Sequence, residues 1–241
     1  MSTSETDWIK IDLHIHTLED PKDRLDYSAR ELLARARRLG FDVLAITLHD
    51  EVFDPPEIFQ AASRLGILLI PAAEVRIEGA DVILLNVTRD DLAGLNTFAD
   101  LRRLRARRGN SLFIIAPHPF YVLGASIGKR LIAEIDCFDA IEYCHFHKGL
   151  FNPNRRAAVV AQQFGKPLLA TSDAHRLHAF GHHYTRAPRP PELTAEAVFA
   201  QLRSGQSQMH SPSATFSDIL STFYFVFVKH PLRSILGQGH R

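Results

Sequence analysis

Residues 11–17 read Ile-Asp-Leu-His-Ile-His-Thr, and residues 172–175 read Ser-Asp-Ala-His. Side chains two apart on a strand project from the same face, so His14 and His16 point one way while Ile15 points the other. Asp173 and His175 repeat the arrangement around Ala174 with one carboxylate and one imidazole. Between them, strand-length apolar runs recur at residues 11–15, 42–47, 67–73, 82–87, 112–116, 140–143 and 168–171, with helical stretches interposed. This alternation predicts parallel strands joined by crossover helices, hence an α/β barrel. A helix is expected from an N-cap at Ser28, with Glu31 three residues on, to Gly40. Further helices are expected over residues 55–65, 97–108, 154–164 and 193–202, the last closing the barrel. Thr185 to Leu193, rich in Pro and Arg, reads as a surface connection.

Placed on this pattern, His14, His16, His49, Asp50, Glu74, His118, His145, His147, Asp173 and His175 all fall at or just past the C-terminal ends of the runs. In a β/α barrel those ends converge on one face, so distant residues can share a pocket. His14 and His16 suit one metal ion, Glu74 can bridge two through its two oxygens, and His49 and His118 complete the coordination. Several imidazoles with few carboxylates favour zinc, manganese or iron over calcium.

The chain has 241 residues, with 46% hydrophobic and 23% charged residues, which excludes disordered, collagen-like and low-complexity architectures. A net charge of +1 gives no global attraction to nucleic acid or membrane. Cys137 and Cys144 are the only cysteines, too few for a disulfide framework and suited to a reducing compartment. The polar, acidic N-terminus predicts no signal peptide, and the apolar stretch at residues 223–228 is far shorter than the roughly 20 residues of a spanning helix. A cytoplasmic chain without stable membrane insertion is expected, comprising a barrel over residues 9–205 and an extension over 206–241. The aromatic segment 216–228 is expected to pack on the barrel or at a subunit contact, so an oligomer is open.

Asp12-Leu13-His14-Ile15-His16-Thr17, Ala45-Ile46-Thr47-Leu48-His49-Asp50, Glu74, Ala116-Pro117-His118-Pro119-Phe120 and Ser172-Asp173-Ala174-His175 resemble, in order, the motifs of the PHP (polymerase and histidinol phosphatase) family. The resemblance covers roughly residues 9–185. It implies a distorted (β/α)7 TIM-like barrel holding two or three divalent metal ions, usually for phosphoester hydrolysis. His14, His16, His49, Glu74, His118, Asp173 and His175 match the family's ligand positions. The acidic ligand after the first motif falls on Asp20, with Asp23 the other candidate. Leu48 stands where relatives carry Asp, removing a partner that could orient His49; Asp50 is the expected substitute. Asp81 stands near where relatives place a further His, so it is either a ligand or marks one lost.

The expected chemistry is attack by a metal-activated water on a phosphomonoester or phosphodiester. Asp173, His175 and His49 are the expected catalytic positions, with Asp173 binding metal and orienting the water. Arg176, Arg155, Lys148 and Arg156 are candidates for phosphate, and one of His182 and His183 for substrate. His145 and His147 fit either substrate contact or an ordinary strand-to-loop transition. Adjacent strand residues face opposite sides, which disfavours a Cys144–His145 thiol mechanism. Arg102, Arg103, Arg105, Arg107 and Arg108 spread around one helix end, where positive charge complements the dipole, rather than forming a nucleic-acid surface. A small phosphorylated substrate is therefore expected. Hydrolysis of nucleotide or nucleic-acid ends and a non-catalytic phosphate-binding module are the alternatives.

Overall fold

The computed structural model describes residues 7–121, 125–149 and 151–214. In chain order its elements are β1 (Trp8–Asp12), α1 (Ala29–Arg38), β2 (Val43–His49), α2 (Pro56–Arg64), β3 (Leu68–Ile77), β4 (Ala80–Leu85), α3 (Arg89–Leu92) and α4 (Phe98–Arg108). There follow β5 (Phe113–Ala116), β6 (Ala140–Tyr143), α5 (Asn154–Phe164), β7 (Leu168–Ala170), β8 (Tyr184–Pro188), α6 (Ala195–Arg203) and β9 (Gln208–His210). The expected capping box is present: the Ser28 hydroxyl accepts from the Glu31 amide, and Glu31 accepts from the Ser28 amide.

Among the described residues one nine-stranded sheet runs in the order β7-β6-β5-β4-β3-β2-β1-β8-β9. It curls into a nearly closed barrel, with the Thr185 hydroxyl of β8 donating to the Ala170 carbonyl of β7 at 2.9 Å. Pairs β1–β2, β2–β3, β5–β6 and β6–β7 are parallel. Pairs β3–β4, β4–β5, β1–β8 and β8–β9 are antiparallel. The barrel is therefore a mixed sheet, not a uniform parallel one. β3 runs past the expected end at Ala73 and reverses at Glu78 and Gly79, both at positive φ, as a tight hairpin needs.

Two segments differ from expectation. Residues 185–193 are not wholly a surface connection, because Tyr184–Pro188 is a strand that buries Thr185 and Ala187 and pairs with β1. β1 ends at Asp12, so His14 and His16 lie just beyond it, where Ile15 makes one bridge to Ala174.

The barrel interior packs Ile9, Ile11, Val43, Ala45, Ile70, Ile83, Phe113 and Ile115 against Val198, Phe199 and Leu202 of α6. Phe199 stacks on Phe113 with ring centroids 5.1 Å apart, so α6 plugs one end of the barrel. α1 and α2 cover one stretch of the sheet's outer face, and α4 and α5 another. β9 carries the sheet beyond residue 205, while segment 216–228 lies outside the described residues. No described helix is long and apolar enough to cross a membrane.

Candidate metal centre

Backbone contacts join the first and last motifs. The His16 amide donates to the Ala174 carbonyl at 3.2 Å, and the Thr47 amide to the Ile15 carbonyl at 2.9 Å. Asp12 Oδ1 accepts from the amides of His14 (3.4 Å) and Ser172 (3.1 Å), and the Tyr27 hydroxyl donates to the carbonyls of Ala174 and His16. Asp12 is wholly buried, and burial pushes its carboxyl up to about 7.

Glu74 sits at the middle. Its Oε2 lies 3.4 Å from His14 Nε2, 3.3 Å from His16 Nε2 and 3.4 Å from His49 Nε2, while Oε1 lies 3.3 Å from His118 Nε2. Asp173 Oδ1 lies 3.4 Å from His14 Nε2 and 3.5 Å from both His16 Nε2 and His175 Nδ1. Three triplets have ligand atoms within 4.8 Å of one another: His14, Glu74 and His118; His14, His16 and Asp173; His16, Asp20 and His49. The structure thus gathers all eight residues expected at the metal positions around one mouth. His118 and Asp173 hold positive φ, conformations that non-glycine residues adopt at a cost of order 1–3 kcal/mol and that cluster at functional sites.

Four of the five rings, all but His118, are aimed by a carboxylate. Glu142 Oε1 lies 2.9 Å from His14 Nδ1, while its other oxygen accepts from the His118 amide. Asp20 Oδ2 lies 3.2 Å from His16 Nδ1 and 2.9 Å from His49 Nδ1, and accepts from the His49 amide at 3.0 Å. Asp23 Oδ2 lies 3.0 Å from His175 Nε2. Asp50 is not the partner of His49: it binds Lys22 Nζ and the Arg76 amide instead. Asp20 takes the orienting position that Leu48 leaves open.

Burial disfavours charge on His14, but the carboxylates of Asp173, Glu74 and Glu142 outweigh it and raise its pKa well above the usual value. His16 behaves likewise, and His118 is raised to about 9 against its own burial, chiefly by Glu74. Glu74 and Asp173 are held well below the usual carboxylate range, their burial overcome by the imidazoles. A metal entering such a pocket takes the place of these imidazole protons. The pocket's donor set of clustered imidazole nitrogens and carboxylate oxygens fits zinc, manganese or iron. Among the described residues, His118 Nδ1 is buried without a hydrogen-bond partner, as are Asp12 Oδ2, Thr17 Oγ1 and Ser172 Oγ nearby.

The other candidates stand further out. Among the described residues His145 Nδ1 is buried with no hydrogen-bond partner, its ring 5.7 Å from that of His183. His147 Nε2 lies 3.2 Å from Ser211 Oγ, and His183 Nδ1 lies 2.9 Å from the same oxygen. Arg155 is exposed on the first turn of α5, and Arg176 is half-buried directly after His175. Cys144 is buried, and burial drives its thiol pKa well up, against a nucleophilic role. The arginines of α4 are spent on carboxylates: Arg102 on Glu134, Arg103 on Asp100, Arg105 on Asp139, and Arg107 and Arg108 on Asp91. Sequence reasoning missed Glu142. Its signal was the alternation of β6, which puts Glu142 on the interior face with Ala140.

Residues 151–207 match the family model described as PHP-associated. An uncharacterized protein of Methanocaldococcus jannaschii is 26% identical over 162 residues, which is 63% of this chain and 86% of that protein. Among solved structures, a two-domain protein from Bacteroides vulgatus containing a predicted PHP-like metal-dependent phosphoesterase superposes with a TM-score of 0.64 at 18% identity. That match covers 85% of this chain and 65% of the other. A lesion-specific endonuclease from Pyrococcus furiosus gives a TM-score of 0.60 at 15% identity, covering 90% of this chain and 66% of the endonuclease. The chain thus spans just under two thirds of either structure, and the likeness is one of fold. The matched segment is similar to the PHP-associated family model, and the mixed barrel shares the fold of the PHP-like structures.

Proposed function

We propose that the protein is a metal-dependent phosphoesterase that hydrolyses a small phosphomonoester or phosphodiester. The observation that carries this reading is Glu74, whose two oxygens face four imidazole nitrogens at 3.3–3.4 Å. His14, His16, Glu74 and Asp173 would hold one ion and Glu74 and His118 a second, with His49 and His175 beside them at the mouth. Zinc, manganese or iron bound there supplies a lower pKa for water, from about 16 to about 7, and positive charge for phosphate oxygens.

The chain's own groups prepare the site. Glu142 holds the His14 proton at Nδ1, leaving the Nε2 lone pair toward Glu74. Asp20 does the same for His16 and His49, while Asp23 lies against His175 Nε2 and the Asp173 carbonyl against its Nδ1, fixing the ring's orientation. Asp173 would orient the attacking water, with His49 and His175 partly exposed beside it at the mouth. Arg176, His145, His147 and Arg155 are the proposed contacts of substrate on the surrounding loops. The fold shared with a lesion-specific endonuclease supports hydrolysis of nucleic-acid ends as the second reading. The ion-paired arginines of α4 favour a small substrate.

The test is phosphate release from a panel of phosphomonoesters and phosphodiesters with manganese, zinc or iron, against His14→Ala and Asp173→Ala. Turnover by the parent chain that both variants abolish supports the reading. A panel that is inert with every metal, while phosphorylated ligands still bind, replaces it with a binding module.

A further inference from the structure

The hairpin of β3 and β4 carries an ion pair at the edge of the metal mouth that the proposed reaction does not yet use. Arg76 follows Glu74 by two residues on β3, so both side chains leave the same face of the strand. Asp81 stands directly opposite Arg76 in the antiparallel register, and side chains of opposed residues share a face. Arg76 Nε donates to Asp81 Oδ1 at 2.5 Å. The Asp81 carboxylate is nearly buried, close enough to Glu74 and His118 for their charges to act on it. The Arg76 side chain, by contrast, is 51% exposed, and its two Nη amines make no hydrogen bond among the described residues.

The backbone around the pair is fixed. The Asp81 amide donates to the Ala125 carbonyl at 2.7 Å, and the Arg76 amide to Asp50 Oδ1 at 2.8 Å. Asp50 itself holds positive φ and binds Lys22 Nζ, so the strand end is clamped from both sides. A guanidinium anchored through Nε presents its Nη edge as a two-pronged donor matched to two oxygens of a phosphate.

We propose that Arg76 is the substrate-binding cation that grips a phosphate oxygen pair at the mouth, with Asp81 its positioning residue and not a metal ligand. The inference rests on the phosphoesterase reading for its substrate but is testable without turnover. The metal-loaded full chain is titrated with inorganic phosphate by calorimetry, and bound metal is counted in the same samples. Arg76→Ala weakens phosphate binding about 10- to 100-fold at unchanged metal content, and Arg76→Lys, which keeps charge but not the fork, recovers part of it. Asp81→Asn keeps the full metal count and weakens phosphate by a smaller factor. Arg103→Ala, which removes an exposed cation on α4, binds phosphate as the parent does. Where a substrate is turned over, Arg76→Ala raises KM more than it lowers kcat.

The inference is overturned by parent-like phosphate binding in Arg76→Ala, by loss of a metal equivalent in Asp81→Asn, by equal weakening in Arg103→Ala, or by a metal-loaded parent that binds no phosphate. A parent that binds phosphate through Arg76 yet hydrolyses nothing removes the phosphoesterase reading and leaves this one standing.

Discussion

Glu142 and His14 are 128 positions apart in the chain, yet Glu142 Oε1 sits 2.9 Å from His14 Nδ1 with both side chains wholly buried. The same carboxylate also accepts from the His118 amide and the Thr171 hydroxyl. One strand residue thereby fixes a ring, a second ring's backbone and the strand that leads to Asp173.

Glu142→Gln keeps the shape but removes the charge that holds the His14 proton at Nδ1. Replacement of such outer partners typically costs about 10- to 100-fold in metal affinity, and that loss is expected here. Competition against a fluorescent chelator measures it. Unchanged affinity would mean that His14 is aimed by packing alone.

Glu74→Gln has a wider effect, because one carboxylate faces four imidazoles. Elemental analysis after dialysis is expected to show the metal count falling by more than a single ligand's share, with Asp20→Asn affecting only the His16 and His49 side. Loss of equal size in both variants would contradict a shared central oxygen pair.

Metal uptake should depend steeply on pH. In the metal-free chain His118 is raised to about 9 against its own burial, mainly by Glu74, so a metal must displace its proton over the physiological range. Apparent affinity therefore climbs as pH rises toward 9 and levels beyond it. The proton also has a stability consequence: its contribution to the metal-free fold is complete below the ordinary histidine value near 6.5 and disappears as pH rises through about 9. Calorimetry in two buffers of different ionisation enthalpy counts the protons released, and none released would refute the point.

Asp139 is the buried acid that ties α4 and α6 to the barrel, receiving Arg105 at 2.8 Å and Arg203 at 3.0 Å. Its burial is overcome by these two guanidinium groups, and its pKa is lowered. Asp139→Asn is expected to cost about 3 kcal/mol, since it leaves two arginines without their acid. Stability supplied by Asp139 is present above the ordinary aspartate value near 3.8 and is lost as pH falls below it. Urea midpoints at pH 7 and pH 3 test both statements; a variant as stable as the parent at pH 7 would reject the first.

The gathering of imidazoles and acids was legible because each closes an apolar run, and strand ends in such barrels share a face. Glu142 was hidden for the opposite reason: an acid inside a four-residue run reads as solvent-facing until the barrel's interior face is known. Strand β8 was masked by Arg186, Pro188 and Arg189, since Pro and Arg suggest a loop, although Thr185 and Ala187 alternate inward as a strand requires. The turn at Glu78-Gly79 lacks the usual Asn-Gly or Asp-Gly signature, so the reversal between β3 and β4 had no local marker. Asp50 is the partner the sequence suggests for His49, being its neighbour, whereas Asp20 lies 29 positions away. A bend at Asp50, which takes positive φ, turns its carboxylate to Lys22 and Arg76 instead.

Helix α6 stoppers the barrel with Val198, Phe199 and Leu202. Among the described residues that leaves the opposite end of the barrel as the approach to Glu74 and Asp173. Were the proposed hydrolysis to run there, spent anion and incoming ester would share the end opposite α6, so accumulated product would obstruct the next arrival.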